Sequence, residues 1–292
     1  RQRNYFLPDA CSGCTGAGLC HHRRHAKRSQ SEKQLIRRDQ VWSYLHGKNA
    51  LMPSPGTVYL IPTLLDEAGL AALPAYVLEA VKSCQVFFVE NERTTRRFLK
   101  QLSRDVVIDD YEWYVMARDR DGDRHEPDPV ASFRVKLKSG ATIGILSEAG
   151  CPGIADPGQA LVAVAQEAGA LVRPLVGPSS ILLALMASGM NGQQFCFHGY
   201  LPIQSGDRIR AIRELEAESD RKGSTQIFIE TPYRNQALME SLLKTCRPDS
   251  RLCVACHLTG PEEYVKTRTI AAWQQEPFNF HKQPAIFLLS AK

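Results

Sequence analysis

Three short stretches of the chain carry residue types whose spacing suits chemistry. The first is Ser147-Glu148-Ala149-Gly150-Cys151-Pro152-Gly153-Ile154-Ala155-Asp156-Pro157-Gly158, where small residues let a ligand approach the backbone closely. Glu148 adds a carboxylate to it. The second is Val176-Gly177-Pro178-Ser179-Ser180, which sets two hydroxyls in front of an apolar segment. The third is Phe228-Ile229-Glu230-Thr231-Pro232-Tyr233-Arg234, with a carboxylate and a guanidinium four residues apart. Each has a plainer reading: glycine and proline shape turns, Ser179 caps a helix, and the charges sit on a surface. Their joint presence, each behind an apolar strand, points to the ligand crevice of an open α/β sheet.

Familiar nucleotide and hydrolase signatures do not occur. No G-x-G-x-x-G follows the first strand, and there is no phosphate loop with its lysine and no serine nucleophile elbow. Three other patterns mimic known sites. Cys11, Cys14, Cys20, His21 and His22 have zinc-ligand types, but no second pair stands at knuckle spacing. Cys253, Cys256 and His257 match haem-attachment spacing, yet they lie in an apolar strand where residues three apart face opposite sides. Asp119, Asp121 and Asp123 resemble a calcium loop, but Gly122 is at its fourth position and Val130 stands where a bidentate glutamate belongs. No metal is expected.

The positioning elements read as alternating strands and helices. Strands are expected at 58–62, 86–89, 106–108, 142–147 and 171–175, with helices at 74–81, 92–102, 130–138, 159–168 and 179–188. A second set follows: strands at 195–200, 225–229, 252–257 and 285–289, helices at 208–219 and 235–243, and a strand with a short helix within 267–275. The fold class is therefore α/β, with a mostly parallel sheet in the first set. A Gly/Asn/Gln stretch at 189–194 divides the sets, giving domains at 52–190 and 191–292.

Residues 1–51 read differently. They hold ten Lys+Arg against three Asp+Glu, while the other 241 residues hold 26 basic and 28 acidic. The net charge of +5 therefore resides in this segment, and the rest exerts no bulk pull on nucleic acid. Poor periodicity and the first methionine at Met52 mark 1–51 as a disordered or non-native extension, with the functional protein expected to start near Met52. The longest apolar run, 181–187, is too short to span a bilayer. Scattered cysteines without an export signal read as reduced thiols in a cytoplasm.

The motifs in order are Gly56-Thr-Val-Tyr-Leu-Ile-Pro-Thr63, the 147–158 loop, Gly177-Pro-Ser-Ser180, Ala187-Ser-Gly189, Phe197-His-Gly-Tyr-Leu-Pro202 and Phe228-Ile-Glu-Thr-Pro-Tyr-Arg234. This series resembles the tetrapyrrole methylase superfamily, and within it the ribosomal RNA small subunit methyltransferase I branch. The resemblance covers about 56–292 and implies two α/β domains, S-adenosylmethionine in the cleft between them, and a homodimer. It assigns cofactor contacts to Ala149, Gly150, Cys151, Ile154, Ser179 and Ser180. The chain departs from the branch twice: His257-Leu258-Thr259-Gly260 replaces Glu-Leu-Thr-Lys, and Glu90-Asn91-Glu92-Arg93 replaces Glu-Asp-Thr-Arg.

The implied reaction is in-line methyl transfer, with a ribose 2′-hydroxyl of ribosomal RNA in the small subunit as acceptor. A base would then remove the hydroxyl proton, with Glu230 the first candidate and Glu148 the second. Arg93, Arg234 and His257 are candidate substrate contacts, the arginines as phosphate or propionate holders. Two other readings use the same loops: methyl transfer to a small tetrapyrrole-like acid, and a cofactor-binding protein without catalysis.

Overall fold

A computed structural model describes residues 55–116, 128–275 and 279–291. The zinc-like tail pattern and the calcium-like run, apart from Val130, lie outside them.

Strand β1 is Thr57–Leu60, and a short 3-10 turn, Gly69–Ala72, precedes helix α1, Tyr76–Ser83. Strand β2, Val86–Val89, is buried at every position, as a central parallel strand must be. Helix α2, Glu92–Leu102, starts where the Asn91 side chain accepts from the Thr94 N–H, an N-cap that fixes its first turn. Strand β3 is Glu112–Val115 and helix α3 is Pro129–Lys138, with proline at its first position. Strand β4, Thr142–Leu146, helix α4, Gly158–Glu167, strand β5, Leu171–Pro174, and helix α5, Ser180–Ser188, complete this set.

These strands form one parallel sheet in the order β3-β2-β4-β1-β5. Phe133, Leu137, Leu161 and Val164 from α3 and α4 cover one face. Val77, Val81, Phe98 and Leu99 from α1 and α2 cover the other. The strand expected at 106–108 does not form. Val106 is buried in the core below α2, a 3-10 turn occupies Ile108–Asp110, and the pairing strand is β3. As the sheet's edge, β3 keeps half its residues exposed, so its apolar signal is weak.

The second set comprises β6, Phe195–Tyr200, α6, Ser205–Lys222, β7, Thr225–Ile229, and α7, Asn235–Thr245. It continues with β8, Arg251–Cys256, β9, Tyr264–Thr269, α8, Ile270–Gln275, and β10, Ala285–Ser290. Sheet order is β6-β7-β10-β8-β9, and only the β6/β7 pair is parallel. Ile212, Leu238, Leu242 and Trp273 pack one face, and the Trp273 indole N–H donates to the Leu252 carbonyl at 2.9 Å. Helix α5 covers the other face with Ala184 and Leu185, joined by Leu65 from beyond β1. The described residues belong to one compact unit containing both sheets, which fall on either side of residue 190. Among them, no helix is long and apolar enough to cross a membrane.

Candidate active site

The site grows from the carboxyl end of β1. Its chain runs on as Ile61-Pro62-Thr63, and the Ile61 N–H still bonds the Ile145 carbonyl beside β4. The Thr63 N–H donates to the Gly150 carbonyl at 2.9 Å, and its hydroxyl reaches the carbonyls of Ser147 and Gly150. Thr63 therefore ties the loop after β1 to the loop after β4. Gly150 sits at φ +75°, and a Cβ there would lie 3.1 Å from Leu65 and 3.3 Å from the Pro178 carbonyl. Only glycine accepts both constraints without strain.

The loop after β5 closes on the same point. The Cys151 thiol faces the carbonyls of Gly177 and Pro178 at 3.7 and 3.4 Å. Burial pushes this thiol up, so it stays protonated and acts as a donor. A Cβ on Gly177 would stand 2.1 Å from the Pro62 ring. Ser179 occupies the N-cap position of α5, but its side chain makes no cap bond. Ser180 begins the helix beside it. Ile154 is half exposed, on a loop held by Asp156, whose two oxygens accept from the N–H groups of Gly153 and Gly158 at 2.8 and 2.7 Å.

Between the loops after β1 and β4 and helix α2 lies a cavity of about 210 Å³. Ser147, Glu148 and Ala149 form one wall, while Asp66, Glu67 and Arg97 contribute charge to the others. Arg97 pairs with Glu67 at 2.5 Å, which leaves Asp66 and Glu148 as acidic lining. The Glu148 N–H donates to Glu90 Oε2 at 2.9 Å. Burial raises Glu90 above the ordinary carboxylate value, and the charges of Asp156 and Glu148 raise it further, against the lowering effect of that hydrogen bond.

The second sheet supplies the rim. His257 stands at φ +49° after β8, with Nδ1 3.8 Å from Asp66 Oδ2. A side chain at Gly260 would meet the Asp66 carboxylate at 2.4 Å, so this chain could not carry the branch's lysine there without moving Asp66. Glu230 lies elsewhere in the arrangement. Ile229 points to the α5 side, and the buried Glu230 carboxylate is held by its own loop: Oε1 accepts from the Thr231 N–H and from Arg234. Arg93 is exposed on α2.

Of the expected residues, Glu148 and Ala149 line the cavity, and Gly150 and Cys151 hold its back wall in place. Thr63 and Glu90 stand in motif segments to which the sequence assigns no role, and Asp66 and Glu67 stand in none. The strand-end rule that marked the other loops applies equally to β1, and it was the signal for Asp66. Glu90 takes part only because β2 lies beside β4. The acidic lining suits a cationic sulfonium. Among the described residues, no group of acidic, histidine or cysteine side chains is arranged to hold a metal.

Residues 57–273 match the model of the family described as Tetrapyrrole (Corrin/Porphyrin) Methylases. The chain is 28% identical over 239 residues to the Ribosomal RNA small subunit methyltransferase I of Escherichia coli O157:H7, covering 81% of this chain and 78% of that one. With the protein of that name from Vibrio cholerae, identity is 28% over 245 residues, covering 82% and 80%. Among solved structures, a diphthine synthase matches with a TM-score of 0.55 at 15% identity, over 81% of this chain and 90% of that one. That likeness bears on the fold alone.

Proposed function

Since the chain belongs to the tetrapyrrole methylase family and is a methyltransferase, we propose that it moves a methyl group from S-adenosylmethionine to a ribose 2′-hydroxyl of small-subunit ribosomal RNA. The observation that carries the donor half is the acidic cavity between the loops after β1 and β4, behind which Cys151 ties in the loop after β5. The names of the relatives support small-subunit ribosomal RNA as the acceptor, and the ribose hydroxyl is the further step of the proposal.

Bound S-adenosylmethionine supplies an electrophilic methyl on a sulfonium. Ala149, at the cavity wall, and Gly150, Cys151, Ile154, Ser179 and Ser180 on the adjoining loops would hold it. Asp66 and Glu148 favour the positive charge before transfer. Holding acceptor and methyl in line is the main contribution of such a site, worth up to about 7–11 kcal/mol. Glu148, exposed at the cavity wall, takes the hydroxyl proton as the bond forms. Glu230, already engaged by Arg234, positions its loop rather than acting as the base. Arg93 and His257 flank the approach of the acceptor. The exposed pair Leu182 and Met186, one turn apart on α5, supports a homodimer as the working unit.

The test mixes the full chain, methyl-labelled S-adenosylmethionine and small ribosomal subunits from a strain lacking the gene. Label recovered as a 2′-O-methylnucleoside supports the proposal. Label on a base overturns the ribose assignment. Label found only in small molecules, when whole lysate replaces the subunits, transfers the site to tetrapyrrole-like acceptors.

A further inference from the structure

Strand directions gather three loops of the second sheet at one edge. Strand β10 runs antiparallel to both β7 and β8, so residues 279–284, which precede β10, lie beside the carboxyl ends of β7 and β8. The segment after β7 holds Tyr233, and the one after β8 holds His257. The backbone stitches them together. The Lys282 N–H donates to the Pro232 carbonyl at 2.9 Å, the Asn235 amide donates to the Gln283 carbonyl at 2.6 Å, and the His257 N–H reaches the Pro284 carbonyl at 3.4 Å. His257 in turn approaches Asp66, which lines the cavity. A continuous rim therefore runs from the cavity to Tyr233.

Tyr233 is an unusual residue to find on this rim. Its side chain is 72% exposed, although a tyrosine without a partner gains more by burying its ring. It is nonetheless held in place. Lys282 Nζ sits 5.9 Å from the ring centroid, and the His281 ring meets it edge-on at 6.4 Å and 75°. Lys282 adopts φ +62°, a left-handed conformation that a lysine takes only at a cost in strain. Arg234, next in sequence, is fixed by Glu230 and remains a third exposed.

From this arrangement we infer that Tyr233, His281 and Lys282 form a stacking platform for an unpaired nucleobase of the RNA, with Lys282 meeting an adjacent phosphate. A fixed, exposed aromatic ring with a lysine beside it matches how single-stranded RNA is gripped: bases stack on π-faces while cations follow the backbone. A hydrophobic protein partner would not call for a lysine over the ring. The inference rests on the RNA reading above, and it names the part of that site which binds the acceptor strand without touching the transferred methyl.

The experiment compares full-length wild type, Tyr233→Ala, Tyr233→Phe and Lys282→Ala, with small ribosomal subunits from a strain lacking the gene and methyl-labelled S-adenosylmethionine. Loss of one stacked base raises KM for the subunits roughly 5- to 100-fold in Tyr233→Ala. The value of kcat and the KM for the methyl donor stay at wild-type levels, and Tyr233→Phe restores KM. Lys282→Ala flattens the dependence of log KM on log salt by about one phosphate contact. An unchanged KM in Tyr233→Ala, or a loss that phenylalanine does not restore, overturns the platform while wild-type labelling keeps the RNA reading intact. Wild type that labels no RNA overturns both at the first comparison. Melting temperatures equal to wild type, expected for so exposed a side chain, tie the KM change to binding.

Discussion

Glu230 and Arg234 are joined twice through a single carboxylate oxygen: Oε1 accepts from Nε at 2.9 Å and from a terminal guanidinium nitrogen at 2.5 Å. The two ends of the pair live in different media. The Glu230 side chain is fully buried, whereas Arg234 is 32% exposed. Removing either partner thus leaves a different residue of charge behind.

Arg234→Ala strands a buried carboxylate, for which the loss is about 3–5 kcal/mol. Glu230→Ala strands a guanidinium that water still reaches, so its loss falls below that range. Urea denaturation of both variants is expected to rank Arg234→Ala as the less stable. The reverse order would mean that Glu230 contributes through contacts other than this pair.

Loop convergence depends on Gly177, whose missing side chain lets Pro62 pass. Alanine there places a methyl 2.1 Å from a rigid ring, so the loops after β1 and β5 must separate. Overpacking of this kind costs about 1–3 kcal/mol. Gly177→Ala is expected to lower the melting temperature and weaken S-adenosylmethionine binding, read by calorimetry. Gly192→Ala, where a Cβ meets nothing within 4 Å, serves as the control and leaves both unchanged.

The raised pKa of Glu90 has a consequence for stability. Its folded value lies above the ordinary 4.5, so the folded state holds the proton more tightly than the unfolded chain does. Its favourable contribution is therefore present below about 4.5 and is lost as pH rises through the folded value. Glu90→Gln keeps an oxygen to accept the Glu148 N–H while removing the charge. Melting curves are expected to show the variant gaining on wild type between pH 4 and pH 7. A gap that shrinks with rising pH would contradict this.

Thiol chemistry separates the described cysteines. Burial pushes Cys84, Cys246 and Cys256 up to about 12, so almost no thiolate exists at pH 8. Cys253 and Cys151 are raised by the same cause, whereas Cys196 is exposed. Iodoacetamide at pH 8 followed by peptide mapping is expected to mark Cys196 well before the other five in the native protein.

Legibility in the sequence followed burial. The run Val86-Phe87-Phe88-Val89 reads as a strand because it is enclosed on both faces, and it forms β2 over those same residues. Asn91 followed by a stretch with apolar residues at Phe98, Leu99 and Leu102 sets α2 correctly. β3 was misplaced because Glu112-Trp113-Tyr114-Val115 sits on an edge, where its side chains are divided between protein and water. The same logic holds for the site. Glu148 to Cys151 were visible as a local run of small residues after a strand. Asp66 and Glu90 were not, because what they face lies far along the chain, such as the Glu148 amide 58 residues beyond Glu90. The second sheet's mixed direction was likewise hidden: alternation of strands and helices predicts elements, but the tight β8-to-β9 return that reverses direction carries few glycines.

Strand β10 is the middle strand of its sheet and the last in order, seated between β7 and β8. A ribosome delivers residues at about 5–20 per second, in sequence order. While Phe195 to Thr269 emerges, β7 and β8 have no central partner to pair with, and their inner edges stay open to solvent. Completion of this half therefore waits on the arrival of Ala285 to Ser290. A premature stop between Thr269 and Ala285 would not trim the molecule. It would divide one sheet into two pieces and leave newborn chain to chaperones and proteases.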